Sequence, residues 1–81
     1  MTPKVTQATY VSDFVLRLRF DDGVEGEVNL REELWGPVFE PLLDSAYFRR
    51  YKIHPELHTI VWENGADFSP EFLHQQVRAT A

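Results

Sequence analysis

The chain has 81 residues, 43% of them hydrophobic and 14% aromatic, which is enough for one domain around one core and too little for two. Thirteen acidic against eight basic side chains give a formal charge of −5, which opposes non-specific attraction to phosphate backbones and anionic membranes. Cysteine is absent, so a disulfide framework and a thiolate zinc site are both excluded and the chain must fold on packing alone.

The opening residues, Met1-Thr2-Pro3-Lys4, have neither the basic start nor the apolar run of a signal peptide. No apolar stretch approaches the ~20 residues needed to span a bilayer. A cytoplasmic protein with no membrane partner is expected, with frayed ends up to about Lys4 and after about Arg78. Residues 1–81 read as a single domain without repeats or linkers.

Val5 to Tyr10 alternates weakly, Val5, Gln7 and Thr9 against Thr6, Ala8 and Tyr10, as suits a peripheral strand. From Phe14 to Phe20 the alternation is clean: Phe14, Leu16, Leu18 and Phe20 on one face, Val15, Arg17 and Arg19 on the other. The next strand, Val24 to Leu30, selects its own turn. A two-residue Asp22-Gly23 loop would put Glu25 and Glu27 on the apolar face. A three-residue loop, Asp21-Asp22-Gly23 with Gly23 left-handed, instead pairs Phe20 with Val24, Leu18 with Gly26, Leu16 with Val28 and Phe14 with Leu30. It also sets Arg19 opposite Glu25 and Arg17 opposite Glu27, so the charges are accounted for by sheet pairing.

Beyond this hairpin, Asn29 and Glu32 have the spacing to cap a short helix that carries Leu34 and Trp35 inward and ends at Gly36-Pro37. Pro41 interrupts Val38 to Leu43, so irregular turns are expected there, and Asp44-Ser45 opens a single turn through Phe48. This segment caps the sheet with Trp35, Phe39, Leu42, Leu43 and Phe48. Tyr51 to His54 and Thr59 to Glu63 form a second hairpin across Pro55-Glu56-Leu57-His58, pairing Ile53 with Ile60 and Tyr51 with Trp62. Asn64-Gly65 turns the chain, and Ala66 to Phe68 can add a brief bridge. Ser69 as N-cap, Pro70 in the first turn and Glu71 near the positive end launch a last helix, with Phe72, Leu73 and Val77 facing the core. The expected fold is α+β: a small antiparallel sheet in the order β-β-β, short helical turns, β-β-α, with the helices on one face.

These blocks resemble the small bacterial family called domain of unknown function 2442. The resemblance rests on Phe20-Asp21-Asp22-Gly23, Val28-Asn29-Leu30, the spacing of Phe39, Pro41-Leu42 and Phe48, and Trp62-Glu63-Asn64-Gly65-Ala66-Asp67 running into Ser69-Pro70-Glu71. It covers Val5 to about His74, with proline expected in many relatives at the place of Glu63. It implies no catalytic residues. Some relatives carry the domain ahead of a helix-turn-helix unit, which is not expected here after the one carboxy-terminal helix. Others are encoded beside small partner proteins in arrangements that look like toxin-antitoxin pairs.

The residues themselves offer little chemistry. His54 and His58 with Glu56 flank one loop, but Pro55 forbids helical spacing and no His-Glu-x-x-His pattern exists, so ordinary loop histidines are expected and no metal. Ser12, Ser45 and Ser69 lack a glycine-framed elbow. Asp21, Asp22, Glu25 and Glu27 do not follow calcium-loop spacing. The glycines are isolated, so no phosphate cradle, cofactor or small-molecule ligand is expected. Asp67, between the Asn-Gly turn and the helix start, reads first as an acceptor of backbone amides. Arg49-Arg50 and Lys52, interleaved with Tyr47, Phe48 and Tyr51, have the composition of a single-strand nucleic-acid platform and equally that of an amphipathic strand entry. A sheet edge can accept a strand from a protein partner or a second copy, and Trp35 or Trp62 would anchor one if exposed, while burial of both indoles is the plainer expectation. A non-catalytic protein-interaction or regulatory module is expected, with a nucleic-acid-associated accessory domain as the alternative.

Overall fold

Two reversals of the same build organise the chain. A computed structural model describes residues 2–80, the last two by their backbone only. At the first reversal, Phe20 N–H donates to the Val24 carbonyl at 2.8 Å and Gly23 N–H to the Phe20 carbonyl at 3.0 Å, while Asp22 Oδ1 accepts from Val24 N–H at 3.0 Å. At the second, Trp62 N–H donates to Ala66 at 2.9 Å and Gly65 N–H to Trp62 at 3.0 Å, while Asn64 Oδ1 accepts from Ala66 N–H at 3.0 Å. Gly23 and Gly65 stand at φ of 87° and 90°, the left-handed region that a side chain would strain. Asp-Gly and Asn-Gly thus do one job, because either side chain accepts the amide two residues on.

The first reversal joins β2 (Val15–Phe20) to β3 (Glu25–Asn29), and β1 (Val5–Ser12) pairs with the other side of β2, so the sheet order is β1-β2-β3. The β2–β3 register is the expected one: Leu16 faces Val28, Leu18 faces Gly26, Arg17 faces Glu27 and Arg19 faces Glu25. On the wet face, however, Arg17 forms its ion pair diagonally with Glu25, at 2.6 Å. Strand twist brings diagonal neighbours within reach of a long side chain. β1 carries a bulge at Thr6, between the pairs Val5–Phe20 and Gln7–Arg19. The extra residue shifts the alternation, so Val5, Ala8 and Tyr10 share the inner face. β1 turns into β2 through Asp13, whose φ of 44° had no glycine to announce it.

The strands form two sheets instead of one. β4 (Lys52–Ile53) and β5 (Ile60–Val61) pair with Ile53 opposite Ile60, and Asp67 bridges to Val61 on the far side of β5. The ladder stops at Lys52–Val61 and does not include the expected Tyr51–Trp62 pair; the Trp62 N–H faces the other side, where it donates to the Ala66 carbonyl. Val5 N–H donates to the His58 carbonyl at 2.8 Å and the Tyr51 hydroxyl to the Ala8 carbonyl at 3.1 Å, tying the small sheet to β1.

Between the sheets, α1 (Ser45–Phe48) starts at Asp44, whose side chain accepts from Ala46 N–H, and Glu40–Leu43 forms a 3-10 turn with Pro41 near its start. The other 3-10 turn, Arg31–Glu33, has Leu30 at its cap position, so Asn29 with Glu32 is not a capping box; Asn29 Oδ1 accepts from Arg31 N–H at 3.0 Å. Helix α2 (Pro70–Thr80) begins as expected, with Ser69 Oγ accepting from Phe72 N–H at 3.1 Å, and it packs on β3. Gly26 permits that approach: a Cβ there would stand 3.0 Å from Val77 Cγ1. The core comprises Leu16, Leu18, Phe20, Val28, Leu42, Phe48, Ile60, Leu73 and their buried neighbours.

Candidate functional site

The expectation that Trp35 turns inward is overturned. Leu34, at φ −90° and ψ 69°, leaves helical geometry directly after the 3-10 turn. Leu34 is buried, and the indole of Trp35 is left 74% exposed. Leu43, expected in the core, is exposed as well. Trp62 is the opposite case: 4% exposed, with its indole N–H donated to the Phe48 carbonyl at 2.9 Å. A free Trp35 surface therefore reflects position in a turn and not a shortage of core.

A groove of about 310 Å³ opens beside Trp35. Phe39, Phe68 and Phe72 supply its apolar wall and Glu33 and Asp67 its carboxylates. Phe39 and Phe68 lie 5.0 Å apart between centroids, and Phe68 and Phe72 stack at 5.9 Å with 19° between planes. The wall continues into the core, since Phe68 meets Trp62 edge-on at 5.9 Å and Trp62 meets Phe48 at 5.8 Å. Two hydrogen bonds hold the sides together: Asn64 Nδ2 donates to the Val38 carbonyl at 2.8 Å, and the buried Thr59 hydroxyl donates to the Phe68 carbonyl at 2.6 Å. Asn64 thereby links the second reversal to the segment carrying Trp35 and Phe39.

Asp67 lies on this groove, exposed, with its backbone bridged to Val61. Its side chain does not take the amide-acceptor role expected of it; Asn64 Oδ1 and Ser69 Oγ accept the nearby amides instead. Among the described residues neither the Asp67 nor the Glu33 carboxylate has a hydrogen bond or ion pair. The structure thus brings together two of the residues singled out in the sequence, Trp35 and Asp67, and leaves Trp62 behind the groove wall.

The basic cluster lies elsewhere and is largely engaged. The Arg49 guanidinium sits 4.6 Å from the Tyr10 ring centroid. Arg50 donates to both oxygens of Glu63, at 3.1 and 3.2 Å, and lies 5.8 Å from the Tyr47 ring. Glu63, in the position where proline is expected in relatives, is therefore an ion-pair partner here. Lys52 is exposed on β4.

His54 Nδ1 accepts from the amides of both Glu56 and Leu57 at 3.1 Å, and His58 adopts φ of 54° at the end of that loop. These roles are local turn geometry. Among the described residues no group of three His, Cys, Asp or Glu side chains could hold a metal ion, and no helix is long and apolar enough to cross a membrane.

One constellation has no local signal in the sequence. His74 on α2 places Nε2 2.8 Å from Asp22 Oδ2 in the first reversal and packs edge-on against Phe20 at 4.9 Å. The Val24 amide, then His74, hold the Asp22 carboxyl below its usual range. Fifty-two residues separate the pair, so only tertiary structure reveals it.

A family model described as "Protein of unknown function (DUF2442)" matches residues 5–79. No curated protein and no solved structure matches the chain.

Proposed function

The chain belongs to the DUF2442 family of proteins of unknown function, and for this member we propose a non-catalytic protein-interaction module that docks a partner at the Trp35 groove. The exposed indole of Trp35, set against a wall of phenylalanines, carries this reading. A large ring held in water by a turn loses little by being covered, and buried aromatic anchors at the centre of an interface dominate binding. Phe68 is part of the core and Phe39 and Phe72 pack against it, so the wall is preformed and little ordering would oppose association.

The partner class is a small neighbouring protein, such as the product of an adjacent gene, with a regulatory or antitoxin-like role for this chain in a cytoplasmic setting. Nucleic-acid contact through Arg49, Arg50 and Lys52 has weaker support, because both arginines already face partners within the chain. Strand addition is also less favoured at β1, whose neighbour is the small sheet.

Co-expression with the adjacent gene product tests the reading. A complex is expected with the wild-type chain, and Trp35→Ala should weaken it by roughly thirtyfold or more, as hot-spot losses of about 2 kcal/mol imply. Retention by Trp35→Ala at wild-type strength would count against the groove. Binding of single-stranded oligonucleotide that weakens with salt and with loss of Arg49 would favour the nucleic-acid reading instead.

A further inference from the structure

We infer that the groove selects a partner segment in which an arginine is flanked by apolar side chains, the guanidinium lying over Trp35 and reaching the carboxylates of Asp67 and Glu33. The inference rests on the docking reading above and adds the chemistry of the occupant. Three observations carry it. The indole face is open to solvent, and an indole is the best aromatic platform for a cation. Two carboxylates line the same groove without a partner among the described residues, while none of the lining side chains is basic. The remaining lining is Phe39, Phe68 and Phe72, which match apolar neighbours, and Ser69, whose Oγ caps α2 and whose single neutral hydroxyl is no counter-charge for an anion.

Arginine fits better than lysine. Its planar guanidinium stacks on a ring while forking onto a carboxylate, and it is more weakly hydrated than an ammonium. A volume of about 310 Å³ accommodates one or two side chains, so the segment is short and extended or the exposed corner of a larger partner. The chain's net charge of −5 acts in the same sense at longer range, favouring a basic partner.

The experiment is a titration of the full ¹⁵N-labelled chain with the capped peptide Leu-Arg-Leu-Arg-Leu and with its citrulline counterpart, which keeps shape and removes charge. The arginine peptide should shift the Trp35 indole resonance and the Asp67 and Phe68 amides while leaving the Trp62 indole in place. The citrulline peptide should bind roughly tenfold more weakly, the loss expected for a charge-assisted pair. The Glu33→Gln, Asp67→Asn double variant, which replaces side chains neither buried nor hydrogen-bonded among the described residues, should abolish that difference while keeping the wild-type melting temperature. Equal binding of the two peptides at Trp35 overturns the charge assignment and leaves the docking groove standing. Shifts confined to the basic cluster, or none with either peptide, overturn the inference. Loss of the groove reading itself is registered separately, by Trp35→Ala still capturing the neighbouring protein.

Discussion

The indole N–H of Trp62 and the carbonyl of Phe48 form a buried hydrogen bond of 2.9 Å that fastens the second hairpin to the end of α1. Trp35, 27 positions earlier in a chain with two tryptophans, has no such anchor and faces water. The two indoles therefore divide between stability and surface. Trp62→Phe leaves the Phe48 carbonyl without its donor and should cost about 1–3 kcal/mol. Trp35→Phe should stay within about 0.5 kcal/mol of wild type. Urea denaturation distinguishes them, and similar losses in both variants would contradict the assignment.

Thr59 is a buried polar residue whose hydroxyl donates to the Phe68 carbonyl at 2.6 Å. Thr59→Val keeps the shape and removes the donor, stranding an acceptor behind the groove wall. A loss of about 1–3 kcal/mol is expected by denaturant titration. A neutral result would mean that this bond does not hold the wall.

Gly26 lets α2 lie close to β3. Alanine there would require Val77 to yield by a few tenths of an ångström, whereas Gly26→Val forces a second branched side chain into the contact. Overpacking of this kind should cost about 1–3 kcal/mol, read from thermal or urea unfolding, despite the higher β-propensity of valine. A stabilised Gly26→Val chain would show that the helix can move away freely.

Asp22 gives a pH signature. The Val24 amide, and next to it His74, hold its carboxyl below the usual range, so the folded chain binds fewer protons there than the unfolded chain in mild acid. The stability it contributes is present above the unfolded pKa and is lost as pH falls through the lowered folded value. The advantage of wild type over Asp22→Asn should therefore shrink as pH drops below the ordinary carboxylate range. A difference that stays constant through that range would refute the linkage.

Much of this fold is legible in the sequence where the information is local. The register of β2 and β3 follows from keeping Glu25 and Glu27 off the apolar face, and the start of α2 follows from Ser69-Pro70-Glu71. Family membership is legible for the same reason, since its blocks coincide with turns. What escapes is decided across the chain. Leu34 and Trp35 are both apolar neighbours, and only where the chain leaves helical geometry at Leu34 is it settled that Leu34 is buried and Trp35 faces water. The second hairpin's ladder stops at Lys52–Val61, one pair short of Tyr51–Trp62, and the bulge at Thr6 moves Ala8 and Tyr10 inward without any glycine to mark it. Asp67 and Trp35 were each visible as candidates, but their shared groove depends on Asn64 reaching the Val38 carbonyl, 26 residues away.

The most direct measurement of the central claim is the ¹⁵N–¹H spectrum of the chain with and without the product of its neighbouring gene. The Trp35 indole resonance and the Asp67 and Phe68 amides should shift or broaden on complex formation while the Trp62 indole does not. A complex that forms with Trp35 unperturbed, its changes gathered instead along β3 or around Arg49 and Lys52, would contradict that claim.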